Sequence, residues 1–250
     1  MTLGVRNAAA GLAAARDITV TTGNDGVHVT ALDLADQGSV AALVGAWDEP
    51  LDILVNNAGI MSNPEAYTTE GREVQLATNH LGHFALALGL YDALAAADGA
   101  RIVSVSSSGH GDSPVVLDDL LFDRRPYDAG AAYGQSKTAG VLFTVEANRR
   151  WATDGITANA QVPATDASGM GVKTPEQGAA TSVLLATWPG LAGIGGRHFE
   201  DCHEAEVVTR IPDGLHGVCA YALDPAAAAR LWDVSVLLIA GAGGRSAVSV

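Results

Sequence analysis

Short apolar runs alternate with helix-patterned stretches along this chain, and each run stops at polar or glycine-rich residues. That alternation limits the fold more than any single motif does. Met1–Arg6, Val27–Leu34, Leu51–Val55, Arg101–Val105 and Ile156–Val162 read as buried strands. An Ala-rich helix capped by Asn7 runs to about Arg16, and a second runs from Gln37 to Trp47. Thr69–Ala97 has helical periodicity, and a further helix runs from the Tyr133 region to about Thr153. Thr21–Gly26 and Pro114–Gly130 read as loops, and Gly196–Phe199 as a short strand. Pro175 and Pro225 each open a helix. Strands separated by helices make parallel βαβ units, so the expected class is α/β with a doubly wound parallel sheet.

In such a sheet ligands bind at the carboxyl ends of the strands. The suspicious residues fall there: Asp33, Asn56–Gly59, Ser106 and Ser107, and Pro163. Tyr133 and Lys137 stand four positions apart on a helical pattern, so they share a face. An ammonium beside a phenol favours the phenolate, which suits a phenolic acid/base near neutral pH. The plain competitor is a surface lysine near a half-buried tyrosine.

A chain of 250 residues can bury a full core and is read as one domain, 1–250. With 48% apolar and 17% charged residues it is globular rather than disordered. A net charge of −14 argues against nucleic acid or an anionic membrane as partner. Cys202 and Cys219 make no disulfide framework, which fits a reducing cytoplasm. No leader pattern and no membrane-length apolar run is read. His80 and His83, three apart on a helix, lack a third metal ligand nearby. Cys202-His203-Glu204 is metal-like but sits in a late strand and loop, so no metal is expected. Asn148-Arg149-Arg150 is too short for a nucleic-acid patch.

Taken together, Asp33-Leu34, Asn56-Asn57-Ala58-Gly59, Asn79-His80-Leu81-Gly82-His83-Phe84, Val105-Ser106-Ser107 and Tyr133-Gly134-Gln135-Ser136-Lys137 resemble the short-chain dehydrogenase/reductase family. Phe199-Glu200-Asp201-Cys202 and Leu231-Trp232-Asp233-Val234-Ser235 resemble its bacterial branch similar to retinol dehydrogenases. The resemblance implies a Rossmann-type fold and hydride exchange between NADP(H) and a small carbonyl or alcohol. It implies Tyr133 as general acid, Lys137 as the cation beside it and partner of the nicotinamide ribose, and Ser107 as hydrogen-bond donor to the substrate oxygen. It implies Asn79 as the residue holding a helix distortion and a relay water. Asn57, Ala58 and Gly59 would let the cofactor approach, Asp33 would accept from adenine, and Arg6 would meet a 2′-phosphate, with Pro163 at a further strand end beside the cofactor. A homodimer or homotetramer through the helices of Asn79–Ala97 and Tyr133–Thr153 is implied too. Each role has a plainer rival: Ser107 as a turn serine, Asn79 as a buried helix amide, Asp33 as a helix cap, Arg6 as a solvated end residue.

Two departures matter. The glycine-rich TGxxxGxG turn is absent, so about 30 residues, one β-α unit, are missing against the family pattern. Either Met1–Arg6 slides in to pair with Leu51–Val55, or the first half of the sheet is poorly held. After Pro163, Ala164 replaces the usual Gly, Ser168 stands where a Thr often lies, and Gly169–Thr174 leads straight to Pro175, which shortens the substrate lid. NADP(H) binding is therefore expected to be weak or absent. A cofactor-independent cyclase, dehydratase or isomerase using Tyr133 and Ser107 stays open, as does a non-catalytic protein on the same scaffold.

Overall fold

A computed structural model describes residues 1–163, 173–211 and 216–241. The chain runs β1 (Thr2–Val5), α1 (Ala8–Thr22), β2 (His28–Ala31), α2 (Gln37–Gly45) and β3 (Ile53–Asn56). It continues through α3 (Val74–Leu76), a π turn (Ala77–Leu81), α4 (Gly82–Gly89), α5 (Tyr91–Ala96) and β4 (Arg101–Val105). Next come α6 (Ala129–Trp151), β5 (Thr157–Val162), α7 (Pro175–Thr187), β6 (His198–Glu200) and β7 (His203–Glu204). The last elements are β8 (Val207–Val208), β9 (Val218–Cys219) and α8 (Pro225–Ile239).

The α/β expectation holds, with a parallel central sheet of order β3-β4-β5-β6-β7 whose last pairing alone is antiparallel. α6 packs over β4 and β5 on one face. α7 covers the other face, where Leu185 meets Val103 and Phe199. The main core joins Leu54, Phe84, Ile102, Phe143, Trp151 and Trp232. Aromatic rings meet edge-on there, as Phe84 does on Trp232 at 4.9 Å.

Four local expectations change. α1 runs past Arg16 to Thr22, because the hydroxyls of Thr19, Thr21 and Thr22 bond back to carbonyls of the preceding turn. Gly23 at φ 74 then ends it in the left-handed conformation that glycine tolerates. The Thr69–Ala97 stretch is broken: helix begins only at Val74, capped by the Glu73 carboxylate, and is interrupted by the π turn and again at Leu90. Asp36, not Asp33, caps α2 by accepting from Gly38. β2 is shorter than Val27–Leu34.

The gap in the sheet is the largest difference. β1 does not slide in beside β3; it pairs in parallel with β2, Thr2 opposite His28, as a separate two-stranded sheet. The second edge of β3 stays without a ladder partner among the described residues. Ile53 and Val55, on the same face of the sheet as Val103, are 38% and 43% exposed. The first half is nonetheless held, by side-chain packing. Leu32, Leu34 and Val40 enter the main core. Gly82 and Gly89, seven residues apart on one face of α4, admit Leu34 and Val44. A Cβ on Gly82 would overlap the Leu34 carbonyl. Gly82→Ala is therefore expected to cost about 1–3 kcal/mol in urea denaturation, and an unchanged midpoint would contradict this account of how the two sheets are joined.

Candidate active site

The site lies where β3, β4 and β5 end and α6 crosses them. Asp128 caps α6 by accepting from Ala131, which fixes the helix start one turn before Tyr133. α6 can come this close because small residues face the strand ends. A Cβ on Gly134 would stand 2.7 Å from the Gly109 carbonyl, and Ser106 Oγ donates to the Lys137 carbonyl at 3.0 Å.

Ser107, Tyr133 and Lys137 come together, with Asn79 behind Lys137. A Cβ built on Gly109 would lie 2.8 Å from the edge of the Tyr133 ring and 3.4 Å from Ser107 Oγ, so Gly109 is the spacer between them. Ser107 Oγ accepts from the Gly109 amide at 3.1 Å, which leaves its own proton to donate outward. Lys137 Nζ lies 5.7 Å from the Tyr133 ring centroid and donates to the Val105 carbonyl at 3.0 Å. Burial holds the Lys137 pKa down at about 8.

Asn79 sits in the π turn, as expected for a helix distortion. Its amide brackets Ile60, accepting from the Ile60 amide at 2.8 Å and donating to the Ile60 carbonyl at 2.9 Å, and it donates to Ser136 Oγ at 2.8 Å. The Asn56–Gly59 turn is thereby held beside Lys137. A Cβ on Gly59 would be 3.2 Å from both Asn79 Oδ1 and Lys137 Nζ. A small recess adjoins the buried side of Lys137, lined by Asn56, Asn79, His83 and Ser104 among others. Asn56 Oδ1 is buried there without a hydrogen-bond partner.

The remaining expected residues are spread along the strand ends. Asn57, Ala58 and Gly59 are exposed, and Pro163 is half-buried at the end of β5. Arg6 is exposed after β1, and Asp33 is half-buried after β2 with its Oδ1 already accepting from Ala35. Ala164, Ser168 and Gly169 lie outside the described residues. His80 and His83 are turned inward, to Ser235 Oγ and to the Asn79 carbonyl, and desolvation lowers their pKa values to about 3 and about 4. His203 and Glu204 form β7, and Arg149 and Arg150 both pair with Glu146. Among the described residues no group of three or more acidic, His or Cys side chains is placed to hold a metal. None of their helices is long and apolar enough to cross a membrane.

Sequence reasoning missed Gly109, Ser136 and His110. Their signal was proximity to Ser107 and Tyr133 along the chain, but neither a small residue nor a lone histidine beside a motif reveals its partners there.

Residues 2–178 match the family described as short chain dehydrogenase. The chain belongs to the short-chain dehydrogenase/reductase family. It is 51% identical over 244 residues to a Streptomyces antibioticus protein named "Probable oxidoreductase", covering 87% of this chain and 82% of that one. It is 36% identical over 256 residues to human retinol dehydrogenase 11, covering 95% of this chain and 77% of that protein. A crystal structure from Mycobacterium paratuberculosis superposes with a TM-score of 0.76 at 33% identity, covering 96% of this chain and 83% of the other. The resemblance to retinol dehydrogenases read from the motifs is therefore shown, and the chain is of short-chain dehydrogenase/reductase oxidoreductase type.

Burying the Lys137 ammonium costs stability. Its pKa is lower in the folded state than in the unfolded chain, so the unfolded chain binds the extra proton between about pH 8 and the ordinary lysine value. Stability then rises with pH across that window, and the penalty is fully present below it. Lys137→Met is expected to raise the melting temperature at pH 7, by up to roughly 3 kcal/mol in stability. A lowered melting temperature would contradict the stated cost.

Proposed function

We propose that this protein is an NADP(H)-linked oxidoreductase that reduces a carbonyl group of a small molecule or oxidises the matching alcohol. The meeting of Ser107 and Tyr133 at Gly109, with Lys137 beside the Tyr133 ring, carries this reading. Tyr133 gives its proton to the substrate oxygen, and Ser107 donates a hydrogen bond to the same atom as negative charge develops on it. Lys137, charged at neutral pH, holds its ammonium beside the Tyr133 ring. A nicotinamide dinucleotide, when bound, supplies or takes up the hydride.

The residues present fit one half of that cofactor. Gly59 keeps open a space beside Lys137 that any side chain would fill, which suits the nicotinamide ribose. The pyrophosphate half fits poorly. Neither β1 nor β3 leads through a glycine-rich turn into a helix, and the Asn7 side chain already caps α1. Arg6, Asp33 and Asn57–Gly59 can orient the adenine half without neutralising two phosphates. Losing several charge-assisted hydrogen bonds at ~1.5–3 kcal/mol each weakens binding by powers of ten. A cofactor-independent proton-transfer catalyst using Tyr133 and Ser107 is the second reading, and the unfilled gap beside β3 is what favours it.

Assembly as a homodimer or homotetramer is proposed from the family alone. Among the described residues, the large exposed apolar side chains lie elsewhere than α4 and α6, for example Leu12 and Val20 on α1 and Leu237 on α8. A monomer in light scattering at micromolar concentration would remove the proposal. A cytoplasmic location is likewise proposed, on the cysteine content.

Calorimetric titration of the 250-residue chain with NADPH and NADH tests the cofactor reading. The expected dissociation constant is on the order of millimolar or weaker. Micromolar binding would show that the phosphates are held after all. Where turnover of a carbonyl panel is measurable, Tyr133→Phe is expected to lower kcat at least ~100-fold, because phenylalanine has no proton to give. A variant of near-normal rate would remove Tyr133 from the chemistry.

A further inference from the structure

His110 lies three residues beyond Ser107, fully buried, in the short 3₁₀ turn that follows β4. Its ring has two partners. Nδ1 faces the Ser107 carbonyl at 2.7 Å, and the Cys219 amide donates to Nε2 at 3.1 Å. A carbonyl can only accept and an amide N–H can only donate, so one arrangement satisfies both: neutral imidazole, proton on Nδ1, lone pair on Nε2. Burial, which holds the His110 pKa below the ordinary histidine value, keeps the ring neutral. The His110 backbone is held equally firmly. Its carbonyl accepts from the Tyr221 hydroxyl at 2.7 Å and from Thr138 Oγ1 at 3.1 Å, and Thr138 is the residue after Lys137. Its amide donates to the Ser107 carbonyl at 3.0 Å. The Ser107 carbonyl thus accepts from both the His110 amide and the His110 ring.

We propose that His110 is a positioning residue for Ser107, its imidazole tying the Ser107 carbonyl to the Cys219 amide so that the segment Val218–Leu223 fixes where the Ser107 hydroxyl points. The proposal rests on the oxidoreductase reading in giving Ser107 a catalytic task, whereas the bridge itself does not depend on that reading. The chemistry of the bridge is a donor and an acceptor a fixed span apart. Glutamine can offer the same pair, its amide donating to Ser107 and its carbonyl accepting from Cys219, while leucine fills the space and offers neither. Cys219 can also be altered alone. Its φ of −65 suits proline, which removes the donated N–H and leaves the ring in place.

The test compares His110→Gln, His110→Leu and Cys219→Pro with the parent, scoring kcat and KM for NADPH on a carbonyl panel and the melting temperature. Histidine-ring ¹⁵N spectra of the parent are recorded beside them. His110→Leu and Cys219→Pro are expected to lose about 10- to 100-fold in kcat with KM for NADPH little changed, as misplacement of a catalytic group does. His110→Gln is expected to keep most of kcat. Full kcat in the folded leucine variant, or a glutamine variant as slow as the leucine one, would overturn the proposal. If the leucine variant does not fold, an unchanged kcat in Cys219→Pro does so instead. If the parent turns over no carbonyl, the oxidoreductase reading fails separately, and the spectra still decide the bridge. A neutral ring protonated on Nδ1 supports it, and a ring protonated on Nε2 overturns it.

Discussion

The seating of α6 on the strand ends is the contact on which the site depends. It is a close contact between backbones, made possible by Gly109 and Gly134, and locked by hydroxyls rather than by apolar bulk. Ser106 Oγ reaches the Lys137 carbonyl, and Thr138 Oγ1 reaches the carbonyls of His110 and Ser113. Each of these bonds joins the turn after β4 to the middle of α6. Ser107 comes from the turn, and Tyr133 and Lys137 from the helix. Loosening the contact would separate Ser107 from Tyr133 and Lys137.

That contact also explains an unfavourable feature. Lys137 is buried with the Val105 carbonyl as its hydrogen-bond partner, and among the described residues no carboxylate forms an ion pair with it. A structural lysine would be paired or would reach water. Here the ammonium is buried 5.7 Å from the centroid of the Tyr133 ring. The π turn at Asn79 belongs to the same arrangement. It breaks a helix that would otherwise be regular, and in return the Asn79 amide brackets Ile60 and holds the Asn56–Gly59 turn against Lys137.

The first half of the chain is joined differently. The two-stranded sheet of β1 and β2 joins the rest through Leu32, Leu34 and Val40 and through the glycine face of α4, not through a hydrogen-bonded ladder. Side-chain packing fixes where it sits without supplying the row of amides that grips a phosphate. The strand ends around Lys137 and Gly59 are therefore tied by hydrogen bonds, and the β1–β2 side is held by side-chain packing.

The sequence by itself determined the α/β class and the meeting of Ser107, Tyr133, Lys137 and Asn79 at the strand ends. These were legible because strand and helix periods, strand-end chemistry and i,i+4 spacing are local. Asp33 was legible as a strand-end residue, but its neighbour Asp36 took the capping role, because the helix start is set by backbone geometry within a few residues. The break-up of Thr69–Ala97 was not legible, since an apolar helical period continues through the π turn. Only the tertiary structure decided that β1 stays with β2 and leaves the edge of β3 free, because strand pairing is a contest between distant segments. It alone brought His110, beside Ser107, against Cys219, 109 residues further along the chain. A histidine's partners are chosen by whatever the fold brings to its two nitrogens, and no spacing in the sequence encodes that meeting.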